Sequence, residues 1–179
     1  MWFKRKTDFH KILREHLDKD FQVFSCGENP PSDSAIRDFE TILGYQLPKD
    51  FHEYSTSRWG GAYVAVKEEL WPRPKQGDVA PFWSFLCGLM VYGFASDIVE
   101  GMDMRRKTAL FQQATGTRYA PFLEIIGDAD VYCFDETQRI LRWRHDESPE
   151  VVGKTFTEVF ALELAELRKR KDRKLAEKK

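Results

Sequence analysis

The sequence predicts a single α+β domain, with a mixed, largely antiparallel sheet flanked by N-terminal helices and a C-terminal helix. Its 179 residues, of which 42% are hydrophobic and 14% aromatic, are enough for one core and too few to argue for two. Apolar residues recur at helical spacing near both ends of the chain. Between these ends, short β-rich runs alternate with turn residues, which is typical of an antiparallel meander.

Three helices are predicted before residue 62. Thr7 is expected to cap the first, whose apolar stripe includes Phe9 and Leu13, and residues 22–25 form a short extended piece after it. A second helix carries Phe39 and ends at Gly44, since glycine favours a helix end. A third begins at Pro48, where proline costs nothing in the first turn. It buries Phe51 and Tyr54 and ends at Gly60-Gly61.

The middle of the chain is predicted to alternate strands with loops. One strand covers 62–66, a proline-rich loop covers 71–81, and a second strand covers 85–94. Ser96 is a candidate cap for a helix at 97–113, although the apolar spacing there is less regular.

The C-terminal half gives the clearest pattern. Three strands are predicted at 122–126, 131–134 and 140–143, separated by turn residues. Thr155 and Glu158 have capping-box spacing, and an apolar stripe then runs along a last helix to Leu167. Because the next large apolar residue is Leu175, we expect the segment from Arg168 onward to be a solvated extension.

Charge and composition limit the function classes. The formal net charge is -1, yet the segment 168–179 holds eight Lys or Arg against two carboxylates, so the tail is basic and the body acidic. No apolar run of a signal peptide follows the first charged residues, and the one long uncharged stretch, 79–96, is interrupted by proline and glycine. The three cysteines, Cys26, Cys87 and Cys133, indicate free buried thiols in a reducing compartment. A cytoplasmic protein without membrane association is expected.

An ordered series of short motifs resembles the SUKH superfamily. The series is Ile36-Arg37-Asp38-Phe39-Glu40, Leu43-Gly44, Leu47-Pro48-Lys49-Asp50-Phe51, Gly60-Gly61, Phe122-Leu123-Glu124-Ile125-Ile126, Gly127-Asp128, Tyr132-Cys133-Phe134-Asp135, Trp143-Arg144-His145-Asp146 and Thr155-Phe156. The resemblance covers about 32–164, and its strength is the order of the motifs rather than any one of them. The sequence departs from the usual pattern at two places, since Trp59 replaces an asparagine and Ala129-Asp130 replaces glycines.

The resemblance implies a binding module and not an enzyme. The superfamily includes fungal regulators of cell-wall assembly and glucan synthesis and many bacterial immunity proteins, so its members share a fold and differ in partner. The leading hypothesis is an immunity-type protein that neutralises a cognate toxin. The alternatives are a scaffold for cell-wall synthesis and a nucleic-acid-associated protein that uses the basic tail, which carries no aromatic residue for stacking on bases.

Candidate site residues follow from charge and exposure. No catalytic, cofactor or metal site is predicted, since His145-Asp146 fits a strand end and Asp128-Ala129-Asp130 fits a turn. A basic toxin domain would suit an acidic face, which we expect two successive turns to bring to one side. Its residues are Asp128, Asp130, Asp135 and Glu136. Trp59 and Trp71 are alternative contacts, although packing in the core or in the loop is favoured for Trp71.

Overall fold

A computed structural model describes residues 7–25, 27–74, 84–145 and 147–177. The predictions made for Cys26, for Asp146 and for most of the proline-rich loop lie outside these residues. Five α-helices are present in the described part: α1 (Phe9–His16), α2 (Asp33–Leu43), α3 (Lys49–Ser55), α4 (Met104–Thr115) and α5 (Phe156–Ala176). The strands are β1 (Phe21–Ser25), β2 (Ala62–Val66), β3 (Gly88–Val91), β4 (Ala120–Ile125), β5 (Val131–Phe134), β6 (Ile140–Trp143) and β7 (Glu150–Val152).

The seven strands form one antiparallel sheet in which each strand pairs with its neighbours along the chain, in the order β1 to β7. The helices precede, interrupt and follow this sheet, which confirms the predicted α+β class. β2, β5 and β6 have the predicted bounds, whereas β7 is an exposed three-residue strand with too little apolar pattern to predict. None of the described helices is long and apolar enough to cross a membrane.

One face of the sheet, called here the first face, is covered by a layer of helices. Phe51 of α3 is fully buried, with its ring centroid 4.9 Å from that of Phe134 in β5 and 5.0 Å from that of Phe156 in α5. Phe9 of α1 packs edge-on against Tyr54, 5.2 Å between ring centroids. Edge-to-face aromatic pairs of this kind add to the stabilisation that burial alone supplies. The expectation that Phe51 belongs to the core is confirmed.

The opposite or second face of the sheet has one helix, α4. Phe111 of α4 meets Trp143 of β6 at 5.2 Å between ring centroids, and Lys107 lies 4.9 Å above the ring of Tyr92. The Lys107 ammonium also pairs with Glu124 of β4 at 3.6 Å. Register places Glu124 and Trp143 in one row across the sheet, in line with Met90 of β3. α4 therefore covers the half of the second face that lies over β4 to β6.

Several motifs of the sequence have structural roles at helix ends. Gly44 ends α2 in the left-handed conformation, with φ of 85°, and the capping box of Thr155 and Glu158 begins α5, as predicted. Asp50 of α3 accepts hydrogen bonds from the backbone N–H and the hydroxyl of Thr157, at 2.8 and 3.1 Å. This carboxylate also stabilises the positive end of the α5 dipole. The first helix differs from the prediction, since its cap is Asp8 and not Thr7.

Two predicted helix bounds are wrong for identifiable reasons. α3 ends at Ser55, well before Gly60-Gly61. The glycine pair instead fits tight backbone geometry: a Cβ on Gly60 would overlap the carbonyl oxygen of Ser55, and Gly61 has a φ of 91°. α4 begins at Met104, where the Asp103 side chain accepts a hydrogen bond from the N–H of Arg105. Serine and aspartate both cap helices, and the less regular apolar spacing of 97–113 does not show where the helix begins.

The basic extension does not leave the core at Leu167. α5 continues to Ala176, and Lys171 is only 2% exposed. Its ammonium donates to Asp18 at 2.6 Å and to Asp20 at 3.0 Å, in the segment between α1 and β1. Asp172 lies 3.1 Å from the same ammonium, so three carboxylates surround a cation that the apolar pattern assigned to solvent, and the tail is docked at least as far as Lys171.

Candidate functional site

The predicted acidic face is not a single surface. Asp128 and Asp130 lie in the turn between β4 and β5, while Asp135 and Glu136 lie in the turn between β5 and β6. Successive turns of an antiparallel meander lie at opposite ends of the strand that joins them, here the four residues of β5, about 13 Å of extended chain. The expectation that both turns share one side is therefore wrong.

The carboxylates of the first turn are engaged within the protein. Asp130 pairs with Arg142 of β6 at 3.0 Å and lies 3.7 Å from Arg144, and Asp128 is 3.5 Å from Arg142. Arg144 also pairs with Glu147 at 3.0 Å. Local arginines thus offset much of the negative charge that the sequence shows in this region.

The second turn divides its two carboxylates between different roles. Asp135 is 5% exposed and accepts hydrogen bonds from the backbone of Thr137 and Arg139, both at 2.9 Å. Burial raises the pKa of Asp135, but hydrogen bonds from Thr137 and Arg139 outweigh it and hold the pKa below its usual value. Asp135 therefore shapes the turn. Glu136 is exposed and pairs with Arg118 at 3.3 Å.

The two tryptophans that were candidate contacts differ in accessibility. Trp71 is 5% exposed, and its indole N–H donates to the carbonyl of Ser84 at 3.0 Å, so it fills the core rather than projecting as an anchor. Trp59 is partly buried, with its ring 6.0 Å from that of His10 and the guanidinium of Arg58 4.7 Å above it. Whether any of the six candidate residues contacts a partner stays a prediction.

A contiguous apolar surface lies elsewhere, on the half of the second face that α4 leaves open. Its floor is a row across three neighbouring strands, formed by Phe24 of β1, Tyr63 of β2 and Met90 of β3, which are paired in register. Phe24 is 51% exposed, and its ring lies 6.0 Å from that of Tyr63. These residues bound a groove of about 480 Å³.

The wall of this groove comes from the segment between β3 and α4 and from the start of α4. Val99, Gly101, Met102 and Lys107 line it, and Val99 is 59% exposed. Leu110 of α4, 52% exposed, borders an adjoining depression that shares Gly101 and Lys107 with the groove. Exposed apolar residues that cluster in this way are typical of an interaction surface, whereas single ones are common on any protein. We call this surface, from Phe24 to Leu110, the second-face groove.

Cations border the second-face groove on two sides. Lys107 stands in its wall, paired with Glu124 as described above. Arg73 approaches from the side of Tyr63, where it limits the rise in the tyrosine pKa that burial causes. Its guanidinium donates to the carbonyls of Val66 at 2.5 Å and Trp71 at 2.6 Å. Among the described residues no carboxylate pairs with Arg73.

Sequence reasoning missed the second-face groove. Phe24, Tyr63 and Met90 are far apart in the chain, and only strand register brings them into one row. The only available signal was that alternate positions of β1 and β2 are apolar on both sides, as in Phe24 and Tyr63, where a sheet with one solvated face carries polar residues.

Within the described residues, the side chains do not suggest metal or thiol chemistry. They contain no group of three His, Cys, Asp or Glu residues arranged to hold a metal ion. Cys87 and Cys133 are free and buried, and burial raises the pKa of both thiols. A raised pKa keeps a thiol protonated and poorly nucleophilic at neutral pH.

Comparison with known proteins agrees with the fold and with the motif order. No curated protein matches the sequence. The family model described as SMI1 / KNR4 family (SUKH-1) matches residues 30–162, which is most of the chain and spans the sheet from β2 to β7 together with α2, α3, α4 and the start of α5. The chain therefore belongs to the SMI1/KNR4 (SUKH-1) family.

Proposed function

We propose that this chain is a non-enzymatic, immunity-type protein that binds and neutralises a cognate protein toxin through the second-face groove. Family membership supports an immunity-type or glucan-synthesis-related protein. The observation that carries the choice of surface is the exposed apolar cluster around Phe24, Val99 and Leu110, each more than half exposed. Burying such a cluster against a partner supplies the apolar centre that stable interfaces have.

The turns that the sequence favoured are weaker candidates for recognition. Asp128 and Asp130 already have arginine partners, and a new partner would have to compete with them. Asp135 is buried, and its carboxylate already accepts hydrogen bonds from Thr137 and Arg139 in the same turn. The first turn could still steer a basic toxin toward the protein, since rim charges change the rate of encounter more than the affinity.

The basic tail gives little support to nucleic-acid binding. Lys171 is buried between Asp18 and Asp20, and Lys169 pairs with Glu166 at 2.6 Å. Cations that are already paired release few counterions from a phosphate backbone, which is the main source of nonspecific affinity.

The test is binding to the protein encoded by the adjacent gene, with a matched pair of variants. Val99→Lys places a charge in the groove wall, while Ile42→Lys makes the same change at an aliphatic residue of α2 that is 85% exposed. Calorimetry and rescue of cell growth on co-expression should show weaker binding and lost protection for Val99→Lys only. Equal loss in both variants, or in neither, would place the interface elsewhere. Hydrolysis or modification of the toxin by this chain would contradict a purely binding role.

A further inference from the structure

We infer that the element received by the second-face groove is an amphipathic helix of the partner, with its apolar face on the sheet and carboxylates along its flank. This inference rests on the proposed function, because it takes the partner to be a protein that recognises this groove. It adds the structure and the charge of the segment that the partner inserts.

The width of the open surface fits one helix. Phe24, Tyr63 and Met90 lie on three adjacent strands, so the floor between the outer two is about 10 Å wide at the usual strand spacing. A helix with its side chains is about 10–12 Å across. A helix placed there would lie beside α4 on the same face and complete a layer that α4 begins.

The lining suits the side chains of such a helix. Met90 and Met102 are unbranched and can adapt their rotamers to leucine or aromatic side chains that enter from above. Val99 and Leu110 stand at the wall side, where residues on the side of the helix would meet them. Recognition of this kind uses apolar residues at helical spacing as anchors.

Cations near the groove favour negative charge on the flank of the partner helix. Lys107 lines the groove and pairs with Glu124, and Glu100 of the adjoining depression pairs with Arg106. Arg73 lies beside Tyr63 of the floor and has no carboxylate partner among the described residues. A glutamate or aspartate on the partner helix near Tyr63 would therefore meet a cation whose described partners are backbone carbonyls and Tyr63. A lysine in the same place would be repelled.

An added β-strand is the competing arrangement, and it predicts a different contact area. β1 is an edge of the sheet, so an extended segment could pair with its backbone. Such a segment would lie beyond Phe24, in the plane of the sheet, and would leave Met90 and Val99 uncovered. Contacts with Met90 and Val99 therefore distinguish a helix in the groove from a strand at the edge.

The probes are two designed helical peptides with leucine at positions i, i+3, i+4 and i+7, one with glutamates and one with lysines on the flank. Fluorescence anisotropy against the full chain should show the glutamate peptide binding at least about fivefold more tightly at low salt. The difference should shrink at about 0.5 M salt, because screening weakens exposed charge pairs. Circular dichroism should show increased peptide helicity on binding.

Variants place the peptide on the protein. Val99→Glu and Leu110→Glu should weaken binding of the glutamate peptide by at least about tenfold, because they remove apolar contact and repel its flank, while Ile42→Glu leaves it unchanged. No binding of the glutamate peptide, tighter binding of the lysine peptide, or equal binding to Val99→Glu would overturn the inference. A wild-type dimer that Val99→Lys converts to a monomer would also overturn it, since a second copy would then fill the groove.

Toxin binding and peptide binding test the proposed function and the helix inference separately. If the chain neutralises the toxin and Val99→Lys prevents this, but neither helical peptide binds, the helix is wrong and the proposed function stands. If the glutamate peptide binds at the groove and the toxin does not bind at all, the helix stands and the toxin assignment fails.

Discussion

Both faces of the sheet carry apolar side chains, but helices cover the first face more completely than the second. On the first face the side chains of Phe51, Phe122 and Phe134 have no exposed surface. On the second face α4 lies over β4 to β6, and the row across β1 to β3 is exposed at Phe24 and only partly buried at Tyr63 and Met90. Burial of apolar surface away from water stabilises a fold, and the exposed part of this row gives no such stabilisation to the monomer. Its apolar character is instead suited to binding.

Polar groups show the same contrast. Lys171 and Asp135, both buried, have their partners within the chain, as buried charges require. Arg73, at the margin of the open half, has no carboxylate partner among the described residues. Substitutions of these internally paired groups should change stability, whereas substitutions in the groove should change binding.

The largest loss of stability is expected from Phe51→Ala. Its ring is fully buried among those of Phe134, Phe156 and Phe122, so truncation leaves a cavity as well as removing buried surface. We expect the free energy of unfolding to fall by about 3–5 kcal/mol, measured by chemical denaturation. A loss below about 1 kcal/mol would show that the first face is not the closed core described above.

Lys171→Met should cost about 1–3 kcal/mol, because it keeps the buried stem and removes hydrogen bonds to Asp18 and Asp20. Burial lowers the pKa of Lys171, but the hydrogen bonds to its carboxylate partners have the larger effect and raise this pKa above 10.5. Burial raises the pKa of Asp18, but Lys171 has the larger effect and holds this pKa below 3.8.

These two shifts define the pH range of the effect. The Asp18 contribution is present above pH 3.8 and is lost as pH falls through its lower folded pKa, and the Lys171 contribution is present below pH 10.5 and is lost as pH rises through its higher folded pKa. The difference in the free energy of unfolding between wild type and Lys171→Met, measured by chemical denaturation, should therefore be constant from about pH 4 to 10 and become smaller outside this range. A difference that is the same at all pH values would show that packing, and not the ion pair, is lost.

Asp135→Asn and Glu136→Gln form a matched pair of charge removals on adjacent residues. Asp135→Asn should cost about 1–2 kcal/mol, because the amide can no longer accept every hydrogen bond from Thr137 and Arg139. Glu136→Gln should change stability by less than about 0.5 kcal/mol, as is usual for an exposed ion pair. Thermal denaturation of both variants would measure this. Equal effects would show that Asp135 is as accessible as its neighbour.

The smallest change in stability is expected at the groove. Val99→Lys removes a side chain that is 59% exposed, so the free energy of unfolding should change by less than about 0.5 kcal/mol. Chemical denaturation beside Ile42→Lys provides the comparison. A cost above about 1 kcal/mol would mean that Val99 is already covered within the chain and that the open half is smaller than described.

Local signals predicted the fold well because they act over a few residues. Gly44, Pro48 and the Thr155 capping box each specify a helix end through their own backbone or side chain, and all three predictions are confirmed. The docking of Lys171 could not be predicted, since its partners, Asp18 and Asp20, lie about 150 residues away in the chain.

The candidate site depended on distant contacts and was predicted less well. The sequence shows the four carboxylates of the expected acidic face, but their neutralisation depends on strand register, which brings Arg142 beside Asp130. The groove depends on register across three strands and on where α4 begins, which the sequence left uncertain.

The most direct test of the account is oxidative footprinting of the native chain, alone and bound to its toxin, with Met90, Tyr63 and Phe24 as reporters in the groove. Ile42, on the exposed side of α2, serves as the internal control. The account predicts that toxin binding slows the labelling of the three groove residues and leaves Ile42 unchanged. Unchanged labelling of the groove in the bound state, with protection confined to the turns that hold Asp128 or Glu136, would contradict it.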